Sequence, residues 1–480
     1  MNKLTVDVAV IGTGTAGLSA YRAARAQGKR TVLIESGPYG TTCARVGCMP
    51  SKLLIAASEA AHMLQAAAGF GVHAGQVRID GQEVMGRVRR ERDRFVGFVL
   101  EGVDNIPAED KLLGHARFTG PHSLQVDDHT SIEVSRVVIA TGSRPFLPAE
   151  LRDVGPGVIV SDQVFDWTDL PESVAVIGTG VIGLELGQAL HRLGVRVSIF
   201  ARGGSVAQIS DPEVLHVAAK VLGAELDLRF QHKIVSARQD GADVLLTTRD
   251  GAGAERIERF QYVLAAAGRA PNVDNIGIET TGLELDAKGI PLFDPLTMQC
   301  GTSAIFIAGD ANNERPLLPE AADHGKIAGD NAGRYPGVHP GLRRAPLAIA
   351  FTEPQVATLG ASYRELCAGG RHKFAVGKVS FENQGRSRVM LQNHGVLRVY
   401  GEYGSCLFLG AEMIGPRAEH LSHTLAWACQ MRMTVPQMLE MPFYHPVIEE
   451  GMRTALRDLA AELEKGAPAQ SKAPDCTPGV

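Results

Sequence analysis

Val8-Ala9-Val10-Ile11-Gly12-Thr13-Gly14 is the stretch on which the fold turns, because it recurs letter for letter as Val174-Ala175-Val176-Ile177-Gly178-Thr179-Gly180. The correspondence continues at the same offset: Gly17 with Gly183, Gly28 with Gly194, Arg30 with Arg196. Each copy reads as a short buried strand, a G-x-G-x-x-G turn, a helix and a second strand, Thr31 to Ile34 in the first and Val197 to Phe200 in the second. The glycines of such a turn let the backbone approach a pyrophosphate, which then sits on the helix N-terminus. A single G-x-G-x-x-G is also compatible with a purely structural tight turn. Two, each after a strand and before a helix, point to two dinucleotide sites, at Gly12, Gly14 and Gly17 and at Gly178, Gly180 and Gly183.

The acid that closes the second strand of such a unit accepts from adenosine ribose hydroxyls. In the first copy it is Glu35; the equivalent position in the second is Ala201, followed by Arg202. Loss of the acid and gain of a guanidinium suit a 2′-phosphate better than a free 2′-hydroxyl, which tilts the second site from NAD toward NADP. The competing reading makes Arg202 a solvated loop residue, with NAD held by other contacts.

Just beyond the first copy lies Gly40-Thr41-Thr42-Cys43-Ala44-Arg45-Val46-Gly47-Cys48-Met49-Pro50-Ser51-Lys52. A dithiol able to close into a disulfide beside a bound redox cofactor is a relay for electron pairs. The same spacing alone would fit half a zinc site or two inert thiols. Zinc needs a second ligand pair of similar spacing, and none of Cys300, Cys367, Cys406, Cys429 or Cys476 supplies one, so no metal is expected. Pro50 suits the first residue of an apolar helix from Ser51 to Ala68, which sets Cys48 just before its N-terminus. The helix dipole there favours an anion, so Cys48 is expected to be the more acidic thiol. Cys43, on a loop, is then the sulfur an external thiol or disulfide reaches.

Arg136 to Gly142 and Val263 to Arg269 read as apolar strands ending in glycine turns, where the chain leaves the first nucleotide domain and returns to it. Ala304 to Asp310 is another buried strand, stopped by Gly309-Asp310; this aspartate could accept from a cofactor hydroxyl, although read alone it is more often a helix cap. From about Ala345 the texture changes: alternating stretches at Val396 to Tyr400 and Cys406 to Gly410, then helical runs at Pro416 to Met431 and Pro446 to Lys465, predict an antiparallel sheet covered by helices. Gly466 to Val480 reads as a disordered tail.

A chain of 480 residues is too long for one core. Its net charge of −5 argues against nucleic acid or an anionic membrane as the main partner. No apolar run is read as long enough to span a membrane, and the start reaches Asp7 and a glycine loop too soon for a signal peptide. Seven cysteines, odd and sparse, do not resemble a secreted disulfide framework, and a cytoplasmic enzyme is expected.

Taken together, these features resemble the pyridine nucleotide-disulfide oxidoreductases over nearly the whole chain. The redox run is similar to the family's G-T-C-x-x-x-G-C-x-P-x-K pattern through Thr42, Cys43, Gly47, Cys48, Pro50 and Lys52. His445-Pro446-Val447-Ile448-Glu449-Glu450 is similar to its H-P-T-x-x-E signature. The resemblance implies an α/β fold of two Rossmann-like dinucleotide-binding domains plus a C-terminal α+β dimerisation domain. Residues 1–148, completed by about 275–344, would bind FAD; 149–274 would bind NAD(P); 345–465 would form a homodimer. It implies FAD contacts from Thr141, Gly142 and Asp310 and an NAD(P) contact from Gly268. His445 would be the acid/base, contributed by the partner subunit, with Glu450 fixing its tautomer. Lys52 would place positive charge at the flavin, steadied by Glu185. His420 and His423, on one helix, are read as structural or interfacial.

The same comparison points to a dithiol substrate. Ser51 before Lys52 is closer to the dihydrolipoyl dehydrogenase form of the redox run than to that of glutathione reductase, and the single Cys476 lacks the C-terminal pair of some mercuric and thioredoxin reductases. Oxidation of dihydrolipoyl groups, free or on a lipoyl domain of a 2-oxoacid dehydrogenase complex, is therefore expected. Four departures keep an NADPH-driven reductase of another small disulfide in view: Ala44-Arg45 between the cysteines, Ala201-Arg202, Phe443 and Val447. A flavin transhydrogenase or NAD(P)H oxidase is the third reading, and it leaves the thiols without a role.

Overall fold

The computed structural model describes residues 1–368 and 374–467, so most of the expected tail, with Cys476, lies outside the described residues. The chain divides into two compact units. The first is Met1–Leu53, Arg87–Phe146 and Gly268–Arg343; the second is Leu54–Gly86, Leu147–Ala267 and the chain from Arg344. The second nucleotide sheet and the C-terminal sheet thus share one unit, and the first unit resumes at Gly268 rather than near residue 275. Leu54–Gly86 also belongs to the second unit. A Cβ on Gly81 would run into the Asp169 side chain, and Arg192 acts electrostatically on both Glu59 and His62.

In the first unit, strand Asn2–Ile11 lies between Thr31–Glu35 and Thr130–Ile139, parallel to both. Lys111–Leu113 and Ile305–Ile307 extend the parallel part, and antiparallel strands Ser123–Val126 and Ala116–Gly120 complete seven strands. The unbroken run Val8, Ala9, Val10 is fully buried, as a central strand covered on both faces requires. Helix Thr15–Ala26 packs on helix Leu318–Arg334 with no room for a side chain between them. A Cβ at Gly325 or Gly329 would be driven into the carbonyl of Ala16 or Ala20, and one at Gly333 into the Gln27 side chain.

The second unit repeats the plan. Ser173–Ile177 lies between Arg196–Phe200 and Tyr262–Ala265, with Asp227–Arg229 and Val158–Val160 outside them, all parallel. Its C-terminal part is a five-stranded antiparallel sheet in the order Leu347–Ala350, Gln355–Gly360, Phe408–Gly415, Val396–Glu402, Phe374–Ser380. Helices Ala418–Gln430 and Glu450–Glu464 share its core, through Leu421, Leu425, Leu456 and Leu459.

Three local expectations are corrected. The strand expected over Cys406 to Gly410 is Phe408–Gly415; Cys406 has φ 55 and sits in the preceding turn. The last helix begins at Glu450 rather than Pro446, because the Glu450 carboxylate binds back to the His445 ring and the Val447 N–H and holds that stretch as a turn. Finally, the helical stretch Thr42–Phe70 is long and apolar enough for a membrane span by length and composition, which the sequence reading had not seen. Alanine and leucine dominate it, and helices of folded proteins pass the same test.

Candidate redox and nucleotide sites

The first fingerprint is shaped by what its glycines leave out. Gly12 has φ +106, and a Cβ there would enter the Ala140 carbonyl; a Cβ on Gly17 would enter the Gly12 carbonyl. Both positions are closed by the protein itself. Gly14, the N-cap of helix Thr15–Ala26, faces nothing within 4 Å, so its missing side chain leaves room for something other than protein. That room is part of a cleft of about 520 Å³ lined by Gly12, Thr13, Gly14, Glu35, Thr42, Arg45, Thr141, Gly142 and others.

The donor set of this cleft fits FAD. Free backbone amides at a helix N-terminus suit its pyrophosphate. Glu35 sits at the end of its strand, where its Oε2 accepts from the Thr13 amide at 2.9 Å and from Thr13 Oγ1 at 2.5 Å, and its Oε1 from the Gly37 amide at 2.9 Å. Thr141 Oγ1 is buried with no hydrogen-bond partner among the described residues, a polar atom waiting for a ligand. Asp310, on the turn Gly309–Asn312, accepts from Ser143 Oγ at 2.7 Å, and Ser143 accepts in turn from Arg269 Nε at 2.8 Å. Gly268, expected at the second nucleotide, opens the segment returning to the first unit; its φ is +121, nothing lies within 4 Å of its missing Cβ, and its carbonyl accepts from Phe146.

Both cysteines are on helices. Cys43 lies in the one-turn helix Thr42–Val46, capped by Thr41 Oγ1 accepting from Ala44 at 3.2 Å, rather than on a loop. Cys48 is the first residue of helix Cys48–Ala66, two residues ahead of Pro50, which the first turn tolerates because its N–H would have no helical partner. The two stand as thiols, hydrogen-bonded side chain to side chain. That hydrogen bond to Cys48, then burial, holds the Cys43 thiol well above the usual thiol range, with Lys52 pulling the other way. Cys43 therefore keeps its proton, and Cys48 is the more exposed sulfur in this structure, whereas Cys43 was expected to be the one within reach. Lys52 Nζ lies 3.4 Å from Ser51 Oγ.

In the second unit the fingerprint has the same backbone. A Cβ on Gly178 (φ +122) would enter the Ala266 carbonyl, one on Gly183 the Gly178 carbonyl, and Gly180 faces open space. Its second strand, ending at Phe200, is followed by buried Ala201 and exposed Arg202, whose side chain makes no hydrogen bond or ion pair among the described residues. The neighbouring Arg229 is not available in this way: Asp227 holds it at 2.7 Å and Glu258 closes on its other side. Glu185, buried in the fingerprint helix, accepts from the Phe351 amide at 2.8 Å.

His445 Nδ1 lies 3.0 Å from Glu450 Oε2, and its side chain is 81% exposed. The same carboxylate meets Arg453 at 3.1 Å, and hydrogen bonding from His445 holds it below the usual range. The imidazole is thus oriented by one nitrogen and open at the other.

Sequence reasoning had not singled out Thr13, Ser143 and Arg269. Thr13 carried a signal, since it is copied as Thr179; that residue donates to the Ser205 carbonyl at 2.6 Å rather than to an acid. Ser143 and Arg269 are partners only because two short strands, Ser143–Pro145 and Arg269–Pro271, pair across a long gap in sequence.

A fold with two dinucleotide fingerprints and a dithiol next to the first defines a flavin- and nicotinamide-linked redox protein. Residues 6–325 match the model described as pyridine nucleotide-disulphide oxidoreductase, and 347–456 match the dimerisation domain of that name. The chain is 31% identical over 464 residues to a dihydrolipoyl dehydrogenase of Thermus scotoductus, covering 95% of this chain and 97% of the other. It is also 31% identical over 475 residues to a mercuric reductase of Shigella flexneri, at 96% and 82% coverage. Among solved structures, LpdA of Mycobacterium tuberculosis has the same fold, with TM-score 0.79 and 23% identity over 95% of this chain and 99% of that one. The chain belongs to the pyridine nucleotide-disulfide oxidoreductase family. It is an FAD-dependent oxidoreductase that uses NAD(P), with a redox-active disulfide and a dimerisation domain that makes it a homodimer.

Proposed function

We propose that this enzyme is a dihydrolipoyl dehydrogenase, oxidising dihydrolipoyl groups through the Cys43–Cys48 pair. The observation that carries the reading is the pair itself: two hydrogen-bonded thiols on consecutive helices, the first of which lines the nucleotide cleft through Thr42, Arg45 and Val46.

In the oxidised pair, a substrate thiolate attacks Cys43 Sγ. A mixed disulfide forms and Cys48 leaves as a thiolate. The second substrate sulfur then attacks the first, closing the substrate disulfide and releasing Cys43. The substrate loses two electrons and two protons. His445 of the partner subunit takes a proton from the attacking thiol through its open nitrogen, while Glu450 holds the other nitrogen and stabilises the imidazolium that forms. FAD, when bound, would supply the two-electron acceptor for the reduced Cys43–Cys48 pair, with NAD(P)⁺ as the final acceptor. Glu35, Thr141 and Asp310 would hold FAD, and Lys52 would set the charge at its reactive edge.

Steady-state turnover of dihydrolipoamide with NAD⁺ and with NADP⁺ tests this reading, and no turnover with either nucleotide would remove it. A second reading, an NADPH-driven reductase of another small disulfide, is favoured by the unpaired Arg202 and by Ala201 in place of an acid. It predicts turnover of glutathione disulfide or a similar conjugate with NADPH.

A further inference from the structure

We propose that Arg45, one of the four residues between the two cysteines, is a ligand of the FAD pyrophosphate and ties the redox segment to the bound cofactor. Arg45 lines the same cleft as Gly12 and Gly14, whose backbone is shaped for a pyrophosphate. It is half-buried, and its side chain makes one hydrogen bond among the described residues, from Nη1 to the Tyr39 carbonyl at 3.2 Å. No carboxylate lies within ion-pair distance of it among those residues. A guanidinium carries five N–H donors in a planar fork matched to phosphate oxygens, and withdrawing it from water without a counter-charge is unfavourable. The other guanidinium of the cleft wall, Arg144, is already paired with Asp274 at 2.6 Å, so Arg45 is the one whose missing counter-charge falls to the ligand.

The side chain is also held in place. Gly40 has φ +109, and a Cβ there would stand 3.1 Å from Arg45 Cδ; beyond it lies Val96. The stem of Arg45 thus runs over a position kept bare, and little side-chain freedom is left to lose on binding. Its charge is directed at the cofactor rather than at the sulfurs, because the cation acting on the Cys43 thiol is Lys52.

The test is FAD affinity of the apo-protein, measured by quenching of flavin fluorescence, with ADP and adenosine as competitors. Arg45→Gln keeps much of the stem and removes the charge. It should weaken FAD and ADP about tenfold each, leave adenosine within twofold, and reduce the salt dependence of FAD binding. Arg45→Lys should retain most of the affinity and of the salt dependence. Should Arg45→Gln fail to fold by circular dichroism, Arg45→Asn against Arg45→Lys makes the same comparison. Unchanged FAD and ADP affinity in the neutral variant, or equal losses for ADP and adenosine, would overturn the proposal.

Discussion

The two fingerprints share an unbroken run of seven identical residues and the same turn geometry, yet their helices are buried in opposite ways. Helix Thr15–Ala26 is packed by subtraction: Ala16, Ala20 and Gln27 meet Gly325, Gly329 and Gly333 of helix Leu318–Arg334 at backbone distance. Helix Val181–Arg192 is packed by polar hooks. Glu185 takes the Phe351 amide, Gln188 takes the Glu353 amide and gives to its carbonyl, and Arg192 reaches that carbonyl and Glu225. Identical loops thus acquire different support. The first helix depends on shape, and the second on a hydrogen-bonded grip on residues 351–353 that leads into the C-terminal sheet.

The comparison breaks most visibly at Gly329. Gly329→Val would force side-chain atoms into the Ala20 carbonyl, and should destabilise the first unit by about 3 kcal/mol or more, read as loss of FAD and a lower Tm. A well-folded yellow variant would show that the close approach is dispensable.

Next in size are the paired substitutions Gly14→Val and Gly180→Val. Both positions face open space, so both variants should fold. The first should purify without flavin absorbance, whereas the second should keep FAD and be reduced by NADH or NADPH about a hundredfold more slowly than the parent. The same defect in both would mean that the sites are not divided between two nucleotides.

Glu225→Gln should cost about 1–3 kcal/mol at pH 7, because it leaves the buried Arg192 guanidinium without its counter-charge. Burial raises the Glu225 carboxyl, but the hydrogen bonds and charge of Arg192 outweigh it and the net shift is downward. A carboxylate depressed in the folded state stabilises above its unfolded pKa and loses that contribution as pH falls through its folded value. The gap in Tm between parent and Glu225→Gln should therefore narrow on acidification below about pH 4.5. A gap that stays constant down to pH 3 would discount the ion pair.

The smallest effect concerns Arg202. Arg202→Ala should raise the KM for NADPH about tenfold, one charge-assisted contact to phosphate, and leave NADH within twofold. Ala201→Glu should move the preference toward NADH. Equal KM values for both nucleotides in the parent would return Arg202 to solvent.

The glycine pattern made both nucleotide units legible because a close backbone approach leaves few other residues possible. The contacts of Cys43 with Cys48 and of His445 with Glu450 were legible through motif spacing, five residues in each case. Helix ends were less so. Cys43 was placed on a loop because a one-turn helix has no periodicity to read, and Pro50 drew the next helix start to Ser51, three residues after Cys48. The domain division was out of reach, since Leu54–Gly86 is assigned by contacts such as Gly81 with Asp169 that no local pattern announces.

Taken alone, the order of residues determined the repeated strand-turn-helix, the acid in one copy and arginine in the other, and the sulfur pair beside the first. These depend on backbone conformation and on chemistry carried within a few residues. Tertiary structure decided which polar atoms were left without protein partners: Thr141 in the first cleft and Arg202 at the second strand end. It also decided how far burial and the hydrogen bond to Cys48 raise the Cys43 thiol. Those properties belong to neighbours brought together from distant parts of the chain, so packing alone could set them.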